Sequence, residues 1–366
     1  MGKSETTAKP SAGVVARLIL RALLRWEWLL VALIVAVALN NIRLSPAFLR
    51  SNNLLRTTSD FMEIGIMVLP MVFIIVTGNI DLSIASILGL CASVLGWLHI
   101  HGVNIWLAAA IAVLIGGLAG LLNGVLIAKL RLPALVVTLG TFSFYRGLAY
   151  ALLGDQAARG YPASFTALGQ GMLGTTRIPL ALLIFIVLAL GFGLVLNRMT
   201  FGRYLYSIGN NEEASRYSGV PTERIKMTIF VVSGVMAALA GLILAARFGS
   251  TRPDIGSGLE LSVITITVLG GISIFGGSGT MIGAILALVL IGILRFGMGL
   301  VNIQGQVQDV VIGSLLILSI LLPRAGSNLK AMRSWPRATW VMIALGIGVA
   351  VLFGWFYLWS RTLIKV

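Results

Sequence analysis

The sequence predicts an all-α polytopic membrane protein, with about 10 core transmembrane helices plus one extra C-terminal helix. Three observations predict it. Of 366 residues, 58% are apolar and only 11% charged, and the mean hydropathy is +1.00. A soluble domain carries about a quarter charged residues, and so few charges cannot cover so apolar a surface in water. The apolar residues fall in runs of bilayer length, and the basic residues cluster in the turns between alternate runs, as the positive-inside rule requires. The formal charge of +15 therefore marks cytoplasmic loops and excludes a reading as a nucleic-acid partner. The one cysteine, Cys91, lies in an apolar run and has no internal disulfide partner.

Residues 1–27 form a cytoplasmic basic tail in which Lys3, Lys9, Arg17, Arg21 and Arg25 outnumber Glu5 and Glu27. No cleavable signal precedes the first span, about 28–42, so it is retained as an anchor, with Trp26 and Trp28 at headgroup depth. The transmembrane domain then extends over 28–323. Spans two and three, 61–78 and 82–98, are separated only by Asn79, Ile80 and Asp81. Span four, about 104–128, carries Gly116, Gly120 and Gly124 on one face, which lets a second helix approach closely. Span five is about 134–153, an outside loop covers 154–177, and span six is about 178–197. Span seven, about 226–246, has Ser233, Ala237 and Gly241 on one face. Spans eight, nine and ten follow at about 260–275, 281–300 and 306–322. Residues 324–366 are a cytoplasmic linker and an extra transmembrane helix at 340–359. An internal echo sets Glu63 against Glu260 and Asn79–Ser83 against Gly276–Thr280, consistent with a parallel repeat of two apolar runs joined by a break.

The longest polar island inside the domain is 198–226. Asn210 and Glu213 have capping-box spacing, Glu212 and Glu213 complement a helix N-terminus, and Gly219 followed by Pro221 ends a helix. Asn211–Ser218 is therefore expected as a helix of about two turns. So short a helix needs a surface to dock on. A plain basic inter-helix loop is the alternative. The caps and the small residues Gly209, Ala214 and Gly219 favour a docking element.

GRYLYSIGNNEEASRYSGV resembles the cytoplasmic coupling segment of permeases in sugar-type ABC importers, the ribose, xylose, rhamnose and autoinducer-2 group. TGNIDLS, Thr77 to Ser83, is similar to that family's GGIDLSVGS stretch, with Asn79 and Ala85 replacing glycines. LPALVVTLGTFSFYRGLA (132–149) and LSVITITVLGGISIFGGSGTMIG (261–283) match two further family segments, and the likeness covers about 60–325. The resemblance implies a permease subunit carrying a sugar or sugar-like solute across a bacterial inner membrane. It implies a second permease, the same or paralogous, two cytoplasmic ATPase subunits that hold the ATP, and an extracytoplasmic solute-binding protein. It assigns ATPase coupling to Gly209, Asn210, Asn211, Glu212, Glu213, Ala214, Ser215, Tyr217, Ser218 and Gly219. It makes Asn79, Asp81, Ser83, Thr138 and Thr141 candidates for the translocation path or its gate, with a helix cap as the alternative role of Asp81.

The chain is not expected to be an enzyme or to bind a cofactor or metal. It contains no GxxxxGK[ST], and His99 and His101 lack further ligands. An ion-coupled secondary transporter of a small polar solute is the rival reading. It needs intramembrane carboxylates, for which Glu63, Asp81, Glu260 and Asp309 are the candidates. Arg295 and Asp309 lie seven residues either side of Asn302, at equal depth in a helical hairpin, and are expected to form a structural ion pair.

Overall fold

The computed structural model of the chain describes residues 26–45, 48–49, 58–174 and 178–327, the side chains of 319–327 excepted. The basic tail up to Arg25 and the eleventh span expected at 340–359 lie outside the described residues. The described chain is helical almost throughout. In order it runs α1 (Trp26–Leu44), α2 (Met62–Val76), α3 (Ile84–Ile100), α4 (Ile105–Ala128), α5 (Ala134–Leu153), β1 (Ala158–Arg159), α6 (Ala163–Gln170) and α7 (Leu180–Arg198). There follow α8 (Thr200–Asn210), α9 (Glu212–Tyr217), α10 (Thr222–Phe248), β2 (Ser250–Thr251), α11 (Leu259–Leu269), α12 (Met281–Leu300) and α13 (Gly305–Ser327).

Six of these helices, α1, α4, α5, α7, α10 and α12, are long and apolar enough to cross a membrane. Three expected spans are shorter apolar helices, α2 with 15 residues, α3 with 17 and α11 with 11, whereas α13 runs for 23 residues with its side chains described as far as Leu318. The physical reason is burial. Every residue of α2 is buried, as is α3 from Ile84 to Gly96 and α11 from Ser262 to Leu269. A helix enclosed by protein need not match the bilayer thickness, because neighbouring elements satisfy its end groups. MEIGIMVLPMVFIIV is apolar on every side apart from Glu63, which suits a helix enclosed by its neighbours.

Around α2 the packing is set by small residues. The expected glycine face of α4 meets α10 backbone to backbone: Gly116 faces Gly234 and Ala238, Gly120 the Phe230 carbonyl, and Gly124 Met227. The face carrying Ser233, Ala237 and Gly241 turns instead towards Asp81 and Leu88. At one end of the bundle, the loop expected over 154–177 contains β1 and α6. Strand β1 pairs antiparallel with β2, Ala158 opposite Thr251 and Arg159 opposite Ser250. The Tyr161 hydroxyl donates to Thr251 Oγ1 at 2.7 Å, and burial pushes this phenol up to about 12. Arg247, at the end of α10, bridges Asp60 at 2.6 Å and the buried Glu63 at 2.7 Å.

Candidate functional site

The polar island folds as two helices. Its first half, to which the sequence reading assigned no element, is α8. Phe201, Leu205 and Ile208 recur at helical spacing, and that period was the available signal. Leu205 and Ile208 are buried, and the Phe201 ring packs on Phe73 of α2, centroids 6.2 Å apart. Because α8 continues through Asn210, the expected cap is displaced by one residue. Asn210 donates its side-chain amide to the Tyr206 carbonyl at 2.8 Å. Asn211 caps α9 instead, its Oδ1 accepting from Ala214 N–H at 2.9 Å, so Ala214 and not Glu213 holds the partner position. Gly219 adopts φ +85° and Val220 N–H returns to the Ser215 carbonyl, which closes the helix as expected.

One side of α9 is tied down and the other is free. Ser215 is buried, its hydroxyl 2.7 Å from Ser207 Oγ of α8. Lys226, with its side chain only 9% exposed, holds Glu212 at 2.5 Å and so ties α9 to α10. Outward stand Glu213, Ala214, Arg216 and Tyr217, the last 83% exposed. Between α9, the start of α10 and the α4–α5 turn lies a cleft of about 330 Å³, with Asn79 in its lining. Glu212→Ala should lower thermal stability in detergent by roughly 1–3 kcal/mol, more than Lys226→Met, because it strands a buried ammonium. Equal losses would mean that the pair does not anchor α9.

The inner side of α8 rests on both breaks named in the sequence echo, and these rest on each other. Gly277 N–H donates to the Val76 carbonyl, the last residue of α2, at 2.8 Å. A Cβ on Gly209 would overlap the Val76 carbonyl and the Gly277 backbone, so α8 lies against both. Gly78 and Gly277, at φ +76° and +75°, adopt the left-handed conformation that this contact requires. The Tyr206 hydroxyl donates to the Gly279 carbonyl at 2.8 Å, and burial raises its phenol above the ordinary tyrosine value.

Asp81, in the first break, centres a buried polar node. Its Oδ1 accepts from Ser83 N–H at 2.9 Å and Ser83 Oγ at 2.6 Å, and its Oδ2 from Ser233 Oγ at 3.0 Å. Asn123 donates to Ser83 Oγ at 2.8 Å, and Tyr145 reaches Asn123 Oδ1 at 3.3 Å. Thr138 donates to the Ile80 carbonyl at 3.2 Å, and Thr141 to the Thr138 carbonyl at 3.5 Å. Asp81, Ser83, Thr138 and Thr141 are all buried within the subunit, whereas Asn79 borders the cleft. The node joins α3, α4, α5 and α10.

The sequence reading did not single out Arg146, although a lone arginine in an apolar span was a sufficient signal. It donates to the carbonyls of Pro253 at 2.7 Å, Ile255 at 2.9 Å and Ala85 at 3.1 Å, fixing the turn before α11. Arg295 donates to Asp309 Oδ1 at 3.1 Å and equally to Ser262 Oγ. The pair is lopsided, with side-chain exposures of 20% and 71%. A double-mutant cycle in detergent should therefore show a coupling of about 1 kcal/mol or less, since an exposed partner is screened. A coupling of several kcal/mol would place Asp309 in a dry environment. Among the described residues, no group of three or more His, Cys, Asp or Glu could hold a metal ion.

Residues 53–320 match the family model described as "Branched-chain amino acid transport system / permease component". The chain is 40% identical over 323 residues to the autoinducer 2 import system permease protein LsrD of Klebsiella pneumoniae subsp. pneumoniae, covering 87% of this chain and 96% of that one. It is 38% identical to the protein of the same name from Enterobacter sp., covering 86% and 96%. With that from Escherichia coli O157:H7 the identity is 36%, covering 85% and 95%. No solved structure matches.

Proposed function

The chain belongs to the family of branched-chain amino acid transport system permease components, in its sugar-type ABC importer branch, and from this premise we propose how the subunit couples ATP hydrolysis to import. It is a multi-pass inner-membrane permease subunit and not itself an enzyme; ATP is used by partner ATPases, and import also requires a solute-binding partner. On our reading, the exposed side of α9 seats in a groove of an ATPase subunit, with Tyr217 as its principal contact. A six-residue helix cannot carry a load alone, but Ser215 and Lys226 bind it to α8 and α10. Movement of the ATPase then reaches α8, and α8 moves the paired ends of α2 and α11–α12 as one body. The observation that carries this reading is the joint contact of Gly209 with Val76 and Gly277.

Two such subunits, identical or paralogous, enclose one path. Helices α2, α3 and α11 count as spans completed by their breaks and α13 as a span of its own, which supports ten crossings in the core and a cytoplasmic N-terminus. The exposed face of α5 supports its assignment to the path. Gly140, Ser143 and Gly147 lie there, and a Cβ on either glycine would meet nothing within 4 Å. The exposed residues of α4 and α7, such as Leu114, Leu118, Leu190 and Leu194, suit lipid. Asn79, Asp81, Ser83, Thr138 and Thr141 act on the gate by holding the first break in shape. The solute is autoinducer 2 or a sugar-like molecule of similar size, as the names of the relatives suggest.

The deciding experiment is reconstitution of the chain with its ATPase and binding-protein partners in liposomes. ATP-dependent uptake of autoinducer 2 is expected. Uptake by the chain alone, driven by an ion gradient, would overturn the importer reading.

A further inference from the structure

We infer that Trp26 and Glu27, at the start of α1, are positioning residues that hold the α11–α12 break in its resting place against the pull of α8. The inference rests on the permease reading above. Trp26 Nε1 donates to the Leu269 carbonyl at 2.7 Å, across 243 residues of sequence. Leu269 ends α11, and the last carbonyls of a helix have no partner within it. The indole lies against the next turn: Gly271 has φ +84°, and a Cβ there would press into the Trp26 ring. Glu27 holds the other end of the same break. Thr280 Oγ1 donates to Glu27 Oε1 at 3.1 Å while accepting from Gly283 N–H as the cap of α12. Two consecutive residues of α1 thus touch both ends of the segment 270–280.

Tyr206 and Gly209 touch that segment from α8. The break is therefore held from α1, from α8 and from the end of α2, and of these only α8 continues into the exposed helix α9. Helix α1 is fixed elsewhere along its length: Leu30 is fully buried, and Asn41 donates to the Ile293 carbonyl of α12 at 2.9 Å, with Gly297 close against its amide. Anchored on the body of α12 and gripping the break, α1 resists displacement of the break relative to that body. The indole N–H is made in the resting arrangement and opposes departure from it, so it keeps hydrolysis low until solute arrives.

The test uses the assembled transporter in liposomes with Trp26→Phe, which keeps a ring on Gly271 and removes the donor. Hydrolysis without solute should rise about threefold to tenfold, the range that loss of one buried hydrogen bond permits, and the ratio of stimulated to basal rate should fall in proportion. Amide exchange over 270–280 should quicken in the same preparation. A variant with lower yield but an unchanged ratio and unchanged exchange would show only a structural role and overturn the inference. Should Trp26→Phe fail to assemble, Glu27→Ala in the same two measurements decides on the same criteria. If the unsubstituted transporter shows no solute stimulation, the permease reading itself has failed, which is a separate outcome.

Discussion

Alanine at position 209 is expected to abolish solute-stimulated ATP hydrolysis while leaving the permease inserted and at normal abundance. Gly209 sits where α8 touches the end of α2 and the α11–α12 break together, and a methyl group would overlap the Val76 carbonyl and the Gly277 backbone. Backbone cannot swing aside as a long side chain can, so α8 must lift from both breaks. Overpacking of this kind costs about 1–3 kcal/mol. That is small beside the stability of a buried bundle but comparable to the coupling energy between two sites, where it corresponds to roughly a 5–150-fold effect. Glu213→Ala acts on the opposite side of the element. Its side chain faces outward, so it should weaken ATPase docking without disturbing α8, and the double variant should be no more stable than Gly209→Ala alone. The measurement is hydrolysis by reconstituted transporter with and without solute. Stimulation within about twofold of the unsubstituted protein would mean that α8 does not transmit the movement.

The second large effect is expected at Asp81, and it separates two substitutions that remove the same charge. Asp81→Ala deletes the acceptor for Ser83 N–H, Ser83 Oγ and Ser233 Oγ in a buried site, which should cost roughly 3–5 kcal/mol and prevent assembly. Asp81→Asn keeps an oxygen for Ser83 and presents an amide to Ser233, whose hydroxyl can turn to accept. Uptake by Asp81→Asn should stay within about threefold of normal, because the node needs hydrogen bonds and not a proton that comes and goes. Assembled Asp81→Asn protein that is as inactive as an empty membrane would favour the ion-coupled rival. Thermal stability in detergent and uptake in liposomes together distinguish the outcomes.

Much of the bundle was legible because lipid imposes rules that act on local sequence. A run such as Ile105–Ala128 must be helical, since nothing but its own carbonyls can satisfy its amides in hydrocarbon. Gly116, Gly120 and Gly124 announce a close neighbour by spacing alone. Gly219 and Pro221 likewise end α9 through local backbone chemistry. Where competition between neighbouring helices decided, the local reading slipped. Asn210 and Asn211 are both good caps, and the choice fell to Asn211 because α8 runs one residue further.

From the sequence by itself came the class of molecule, the approximate bounds of its apolar helices, a short capped helix in its longest polar island, and a family likeness spread across most of the chain. The tertiary structure alone decided which helices are enclosed and therefore short, and that Asp81 with its neighbour Ser83 joins four helices through Ser233, Asn123 and Tyr145. It alone brought Val76, Gly209 and Gly277 to one point, with Trp26 on the far side of the same break. The physical reason is range. Hydrophobic length, glycine spacing and capping act within a few residues, whereas these contacts join backbone groups dozens to hundreds of residues apart, and no local pattern encodes which buried carbonyl a given donor will meet.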